Sequence, residues 1–362
     1  MKHISYIILF LSGFLLPIQK AASQTDSDQY RRLEEAIEHY EKLNSKDSFQ
    51  TISLGNQKSL KVNDRSPEIK DIKARLELLG DLRALGNTDV YNHRMELAVK
   101  RFQARHGLEE TGIINAAVLK EMNVPLTARI NQLRINLERL RKETSENTGK
   151  RLVANIPEYK LHVYEGNREV LSMDIVVGKT TNKTVVFSDE MKQIVFSPYW
   201  NIPESIVKKE ILPAIKRNPR YLKTHNMEIV GTQNGVPEIR QKPGPKNSLG
   251  KVKFLFPNKY NIYFHDTPAK SLFSRRTRAF SHGCIRLSQP FELAKYLLKD
   301  YPGWTDAAIH SAMNAGTEKW VTLKEPVPVS ISYYTAWVDS SGDVHFREDI
   351  YGHDRNLAQN SF

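Results

Sequence analysis

The octapeptide FSHGCIRL, residues 280–287, holds the only cysteine of a 362-residue chain. A cysteine is a nucleophile as its thiolate, and a free thiol titrates near about 8.5, so a working Cys284 needs a group to take its proton. Two imidazoles are candidates. His282 lies two residues before Cys284, and at strand spacing both would point to one side. His265 lies 19 residues earlier, at the end of the strand-like run NIYFHD, where an adjacent strand would bring it alongside. Gly283 lets the backbone turn tightly and bares its N–H, which with the Cys284 N–H would make two donors for a developing oxyanion. Arg286, two residues on, suits a bidentate grip on a carboxylate. The octapeptide thus reads as a compact acyl-transfer site. Arg275, Arg276 and Arg278 add positive charge suited to an acidic substrate, against the plainer alternative of solvated surface cations. His265, His282 and Cys284 are also zinc-ligand types, although one-cysteine zinc sites with this spacing are unusual.

The setting of the thiol favours a working role. The chain opens MKHISYIILFLSGFLLPIQKAAS, with Lys2, an apolar run from Ile4 to Ile18 and small residues Ala21 and Ser23. This reads as a secretory signal peptide cut after Ser23, its apolar run short of the ~20 residues that span a bilayer. No cysteine follows it, so the expectation is an exported, periplasmic protein with no lipid anchor and no stable membrane insertion once the signal is cleaved. In an oxidising compartment cysteines usually pair, and a lone one has no internal partner. The formal charge of +12, or +10 without Lys2 and Lys20, suits anionic wall polymers or membrane surfaces. Export and the lack of a recognisable motif argue against a nucleic-acid partner.

The elements that must position the site follow from hydrophobic spacing. Residues 28–44 repeat at helical intervals through Tyr30, Leu33, Ile37 and Tyr40. Ser66 as N-cap and Pro67 at the first helical position open a second helix with Ile69, Ile72, Leu76 and Leu79 on one stripe. A third carries Met95, Ala98, Val99 and Phe102 and ends at Gly107, and a fourth stops before Pro125. After a helix over 126–143 the period changes to alternation, with a hairpin turn at 165–167 and further strands in KQIVFSPYW, KVKFLF and YNIYFHD. Between them IPESIVKKEILPAIKRNPRYLKTH reads as helical, interrupted by Pro213 and Pro219. A helix starts near Pro290, and VPVSISYYTAWVDSSGDVHF reads as two strands around Ser-Ser-Gly-Asp.

Two stretches resemble known families. AVKRFQARHGLEETGIINAAVLKEMN resembles the peptidoglycan-binding repeat of wall enzymes. HDTPAKSLFSRRTRAFSHGCIRL resembles the signature of L,D-transpeptidases of the YkuD type, a His followed about 18 residues later by Ser-His-Gly-Cys and an Arg; the surrounding segments are similar to the YcbB-like subgroup. The resemblance implies Cys284 as nucleophile and His265 as base and acid. Ser281, His282, Gly283 and Arg286 would shape the site and bind substrate, with the Asp266 carbonyl or its side chain orienting His265. Tyr199 and Trp200 would belong to a lid over the cleft, the alternative being aromatic core. It further implies peptidoglycan stem peptides as partner, 3→3 cross-linking with loss of D-Ala, acylation of the thiol by carbapenems, and no metal or organic cofactor.

The expected architecture is an α+β multidomain chain: a three-helix peptidoglycan-binding-like bundle, then a mostly β catalytic domain with a helical lid insertion. Its divisions are a signal peptide over 1–23, a helical scaffold remnant and connector over 24–59, the bundle over 60–124 and a linking helix over 125–150. The catalytic domain is expected over 151–300 with the lid at about 203–250, and a β extension over 301–362. Competing readings are an L,D-carboxypeptidase, attachment of a protein lysine to the wall, a wall endopeptidase, in which the His normally follows the Cys, and a non-catalytic wall-binding protein.

Overall fold

The computed structural model describes residues 24–46, 50–83, 86, 88–142 and 149–360, so the export segment expected over 1–23 lies outside the described residues. Helix α1 (Gln24–Asn44) comes first, and α2 (Glu68–Leu78), α3 (His93–Arg105) and α4 (Ala116–Met122) form the small bundle. Its core is the predicted stripes meeting: Ile69, Ile72 and Leu76 against Met95, Val99 and Phe102, closed by Val118 and Met122. Asn92 and Asn115 cap α3 and α4 by accepting first-turn N–H groups. Ser66 does not cap α2. Pro67 stands in the cap position, and the Ser66 hydroxyl donates to the Glu68 carboxylate, a charged acceptor in the first turn.

Helix α5 (Leu126–Lys142) packs on α1 around Leu33, Ile37, Tyr40, Leu126, Ile130 and Leu133. That core is closed from the far end of the chain by a hairpin of β13 (Ala336–Val338) and β14 (Val344–Phe346), turning at Ser-Ser-Gly-Asp as expected. Arg105 joins bundle to hairpin, its guanidinium on the buried Asp81 at 2.5 Å and on the Val344 carbonyl at 2.8 Å.

Among the described residues the main sheet has nine strands: β1 (Lys150–Asn155), β2 (Lys160–Glu165), β3 (Arg168–Gly178), β4 (Phe187–Phe196), β8 (Val252–Leu255), β9 (Phe264–His265), β10 (Ala279–Ser281), β11 (Ile285–Leu287) and β12 (Lys319–Ser332). Their order is β10-β3-β11-β9-β8-β4-β12-β1-β2, and β2 pairs again with β3. Eight strands therefore close into a ring around an apolar core, and β10 adds to β3 outside it. This corrects the boundary expected at 300. Strand β12 lies between β4 and β1, so the sheet is complete only at Ser332.

Between β4 and β8 an insertion forms its own small unit, with β5 (Trp200–Asn201), β6 (Met227–Gln233) and β7 (Val236–Gln241) in the order β5-β7-β6 around Ile202, Val207, Ile211 and Ile239. The insertion expected to be helical thus includes a hairpin, turning at Asn234-Gly235, both at positive φ (50° and 75°). Its helix also runs through Pro213 over 204–217. Residues Val207–Ile211 take π-helical turns just ahead of the proline, which relieves the clash of its ring with the preceding turn. No helix among the described residues is long and apolar enough to cross a membrane.

Candidate active site

Strands β9 and β11 run parallel, with Phe264 opposite Ile285 and His265 opposite Arg286. Side chains alternate along a strand, so the buried Phe264, Ile285 and Leu287 face the core and the intervening positions face away from it. Tyr263, His265, Cys284 and Arg286 are those positions. The pairing continues one residue back, where the Ile285 N–H donates to the Tyr263 carbonyl at 3.2 Å.

His265 is buried, 4% exposed, and its Nδ1 donates to the Asp266 carbonyl at 2.5 Å. A carbonyl only accepts, so the proton sits on Nδ1 and Nε2 is left as the bare, basic nitrogen. Burial and the Arg286 guanidinium push His265 down to about 3, against the pull of the Asp266 carbonyl. The imidazole is therefore neutral. The carboxylate of Asp266 does not face His265. It accepts the Lys251 N–H at 2.9 Å and pairs with Lys270 at 2.6 Å, which anchors the carbonyl that holds the ring.

Burial also pushes the Cys284 thiol up, with hydrogen bonds from the Tyr263 backbone and hydroxyl and the charge of Arg286 opposing it. Its Sγ donates to the Asn261 carbonyl at 3.6 Å. Asn261 sits at φ 56° in a loop organised by Asn258, whose side chain holds the Phe256 and Ile262 carbonyls and the Tyr260 and Ile262 N–H groups. Tyr263 in turn takes a hydrogen bond from the side chain of Trp200, at the root of the insertion. Tyr263 was not singled out in the sequence, although its spacing of two from His265 places it on the same strand face.

Gly283 adopts φ 119°, a conformation L side chains rarely take, so the turn into Cys284 requires glycine. The expected pair of oxyanion donors is reduced to one. Ser281 Oγ accepts the Gly283 N–H at 3.1 Å and donates to the Cys284 carbonyl at 2.5 Å, closing the turn on itself. The Cys284 N–H donates to no acceptor among the described residues. Arg286 has a buried Nε with no hydrogen-bond partner among the described residues.

Three other expected residues lie apart from the thiol. His282 is exposed and its Nε2 meets Glu210 Oε1 of the insertion at 2.7 Å, so it links the motif turn to the insertion. Arg278 is tied into the fold through its terminal nitrogens, which hold the Phe273 and Tyr159 carbonyls at 3.2 and 3.1 Å and Asp174 at 3.0 Å, while its buried Nε has no partner among the described residues. Tyr199 lies beneath Arg240, 4.3 Å from ring centroid to guanidinium carbon.

Residues 149–329 match a family profile described as "L,D-transpeptidase catalytic domain", and residues 65–122 one described as "Putative peptidoglycan binding domain". A protein of Haemophilus influenzae named "Putative L,D-transpeptidase" is 32% identical over 259 residues, covering 66% of this chain and 52% of that protein. The chain thus spans about half the length of this curated relative. Among solved structures, an L,D-transpeptidase from Stackebrandtia nassauensis covers 75% of this chain and 97% of its own at 13% identity and TM-score 0.31. One from Mycobacterium smegmatis covers 51% and 58% at 15% identity and TM-score 0.28. With its family profile spanning β1 to within β12, the chain belongs to the YkuD family of L,D-transpeptidase catalytic domains.

Proposed function

We propose that this chain is an L,D-transpeptidase that builds 3→3 cross-links in peptidoglycan, outside the cytoplasm. The observation that carries the reading is the β9–β11 register, which sets Cys284 on the strand face of a neutral His265 whose Nε2 is free. Cys284 attacks the carbonyl carbon of the third residue of a tetrapeptide stem while His265 Nε2 takes the thiol proton. Negative charge develops on the carbonyl oxygen and is met by the Cys284 N–H. The carbon–nitrogen bond to the terminal D-Ala then breaks, the proton passes from His265 to the departing amine, and a thioester remains. A side-chain amine of a second stem gives a proton to His265, attacks the thioester and expels the sulfur, which is reprotonated. Arg286, cationic and with an unpartnered Nε, suits a stem carboxylate. The bundle preceding the catalytic sheet supports a wall polymer as the surface on which this occurs.

The test incubates the purified protein with disaccharide-tetrapeptide and resolves the products by mass. A dimer lighter by one D-Ala is expected, and Cys284→Ala abolishes it. Tripeptide alone would make water the acceptor and the protein an L,D-carboxypeptidase. Unchanged substrate with the native protein would overturn the enzymatic reading.

A further inference from the structure

Cys284 is bounded on one side by a peptide whose orientation is set from outside the Ser-His-Gly-Cys motif. The carbonyl of Gly283 accepts a hydrogen bond from Thr184 Oγ1 at 2.8 Å. That carbonyl and the Cys284 N–H belong to one peptide group, and in a trans peptide they point in opposite directions. Pulling the carbonyl toward Thr184 therefore turns the Cys284 N–H away from Thr184. Since Ser281 occupies the Gly283 N–H, the Cys284 N–H is the member of the expected donor pair left for an oxyanion.

Thr184 is itself fixed. It is 1% exposed, and the same Oγ1 accepts the Gly178 N–H at 2.9 Å. Its backbone N–H donates to the Tyr351 hydroxyl at 3.3 Å, and that hydroxyl donates to the Gly178 carbonyl at 2.5 Å. Gly178 admits no side chain, because a Cβ there would lie 2.1 Å from the Asn182 carbonyl oxygen. Tyr351, 5% exposed, is tied to the segments flanking the sheet by the Tyr333 hydroxyl on its N–H at 2.8 Å and by Lys183 on its carbonyl at 2.7 Å. A hydroxyl from the segment after β3 thus reaches the turn, braced from behind by a phenol from beyond β14.

We infer that Thr184, held in place by Tyr351, is a positioning residue that aims the Cys284 N–H as the oxyanion donor. The inference rests on Cys284 being the thiol that is acylated. Acylation by a carbapenem needs the donor: sulfur bonds to the lactam carbonyl carbon, the lactam carbon–nitrogen bond breaks, and the thiol proton passes through His265 to the ring nitrogen. Alkylation of the same sulfur by iodoacetamide displaces iodide and forms no oxyanion.

The experiment measures both second-order rate constants by intact-protein mass spectrometry on the full chain. Thr184→Val is expected to slow carbapenem acylation about 10- to 100-fold, less than the loss of an oxyanion donor itself, and to change alkylation by less than about threefold. Thr184→Ser keeps the hydroxyl and stays within about threefold of wild type in both. Tyr351→Phe, which keeps the ring and carries the same comparison should the valine variant fold poorly, slows acylation about 3- to 10-fold and leaves alkylation unchanged. Equal losses in the two reactions, a serine variant as slow as valine, or normal acylation in both Thr184→Val and Tyr351→Phe would overturn the inference. A wild-type chain that alkylates at Cys284 but is not acylated would overturn the thioester reading beneath it, which keeps the two failures apart.

Discussion

Following alkylation of Cys284 by iodoacetamide from about pH 5 to pH 10 separates two ways of activating a thiol. In a pre-formed thiolate–imidazolium pair the rate is flat over most of that range, because the sulfur is already ionised. The surroundings of Cys284 favour a neutral pair instead. Burial pushes the thiol up, and burial with the Arg286 charge pushes His265 down to about 3. With a thiol above its ordinary value of about 8.5, fewer than about 3% of molecules carry the thiolate at pH 7. The alkylation rate therefore climbs about tenfold per pH unit, roughly a thousandfold between pH 5 and 8. His265→Ala changes that rate less than about threefold, since a neutral ring holds no charge against the sulfur. The same variant slows acylation by a stem peptide a hundredfold to ten-thousandfold, on the order of what a positioned base contributes. A plateau between pH 5 and 8, or equal losses of alkylation and acylation in His265→Ala, would refute the reasoning.

Arg278→Gln is expected to lower stability by about 1–3 kcal/mol through its bonds to Asp174 and the Tyr159 and Phe273 carbonyls, with KM for stem peptide unchanged; a tenfold rise in KM at constant melting temperature would show substrate contact instead. A second prediction concerns His162, which lies between Glu158 at 3.0 Å and Glu169 at 2.8 Å. Burial alone would lower it, but the two carboxylates outweigh that and bring it up to about 9. A value raised on folding stabilises fully below the unfolded value near about 6.5 and is lost as pH rises through about 9. Urea midpoints of wild type should therefore fall relative to His162→Gln between pH 6.5 and 9.5, by on the order of 2 kcal/mol in stability, and parallel curves would count against the ion cluster.

Local features were legible where a physical constraint acts over a few residues. The bundle stripes through Ile69, Val99 and Phe102 followed from helical period, and the Ser-Ser-Gly-Asp hairpin from turn composition. The hairpin at Asn234-Gly235 carried an equally direct signal within TQNGVP, hidden by the helical pattern before it. Pro213 was expected to interrupt its helix and does not, because the π turns before it absorb the missing N–H and the ring. Strand β12 could not be assigned to the catalytic sheet from its own pattern: its partners, β1 and β4, lie more than a hundred residues earlier.

The sequence by itself determined that one thiol had to carry any cysteine chemistry, and that it sits after a glycine and two residues before an arginine in a family-like signature. Residue spacing alone left two histidines open. Tertiary structure decided which imidazole shares the strand face of Cys284, because parallel pairing brings together residues whose separation encodes no register, and it turned His282 outward to Glu210. It also decided which polar groups remained available. Ser281 took the Gly283 N–H, Asp174 and two carbonyls took Arg278, and Thr184 took the Gly283 carbonyl. Each is a competition among donors and acceptors brought together by folding, and no stretch of sequence contains all the competitors.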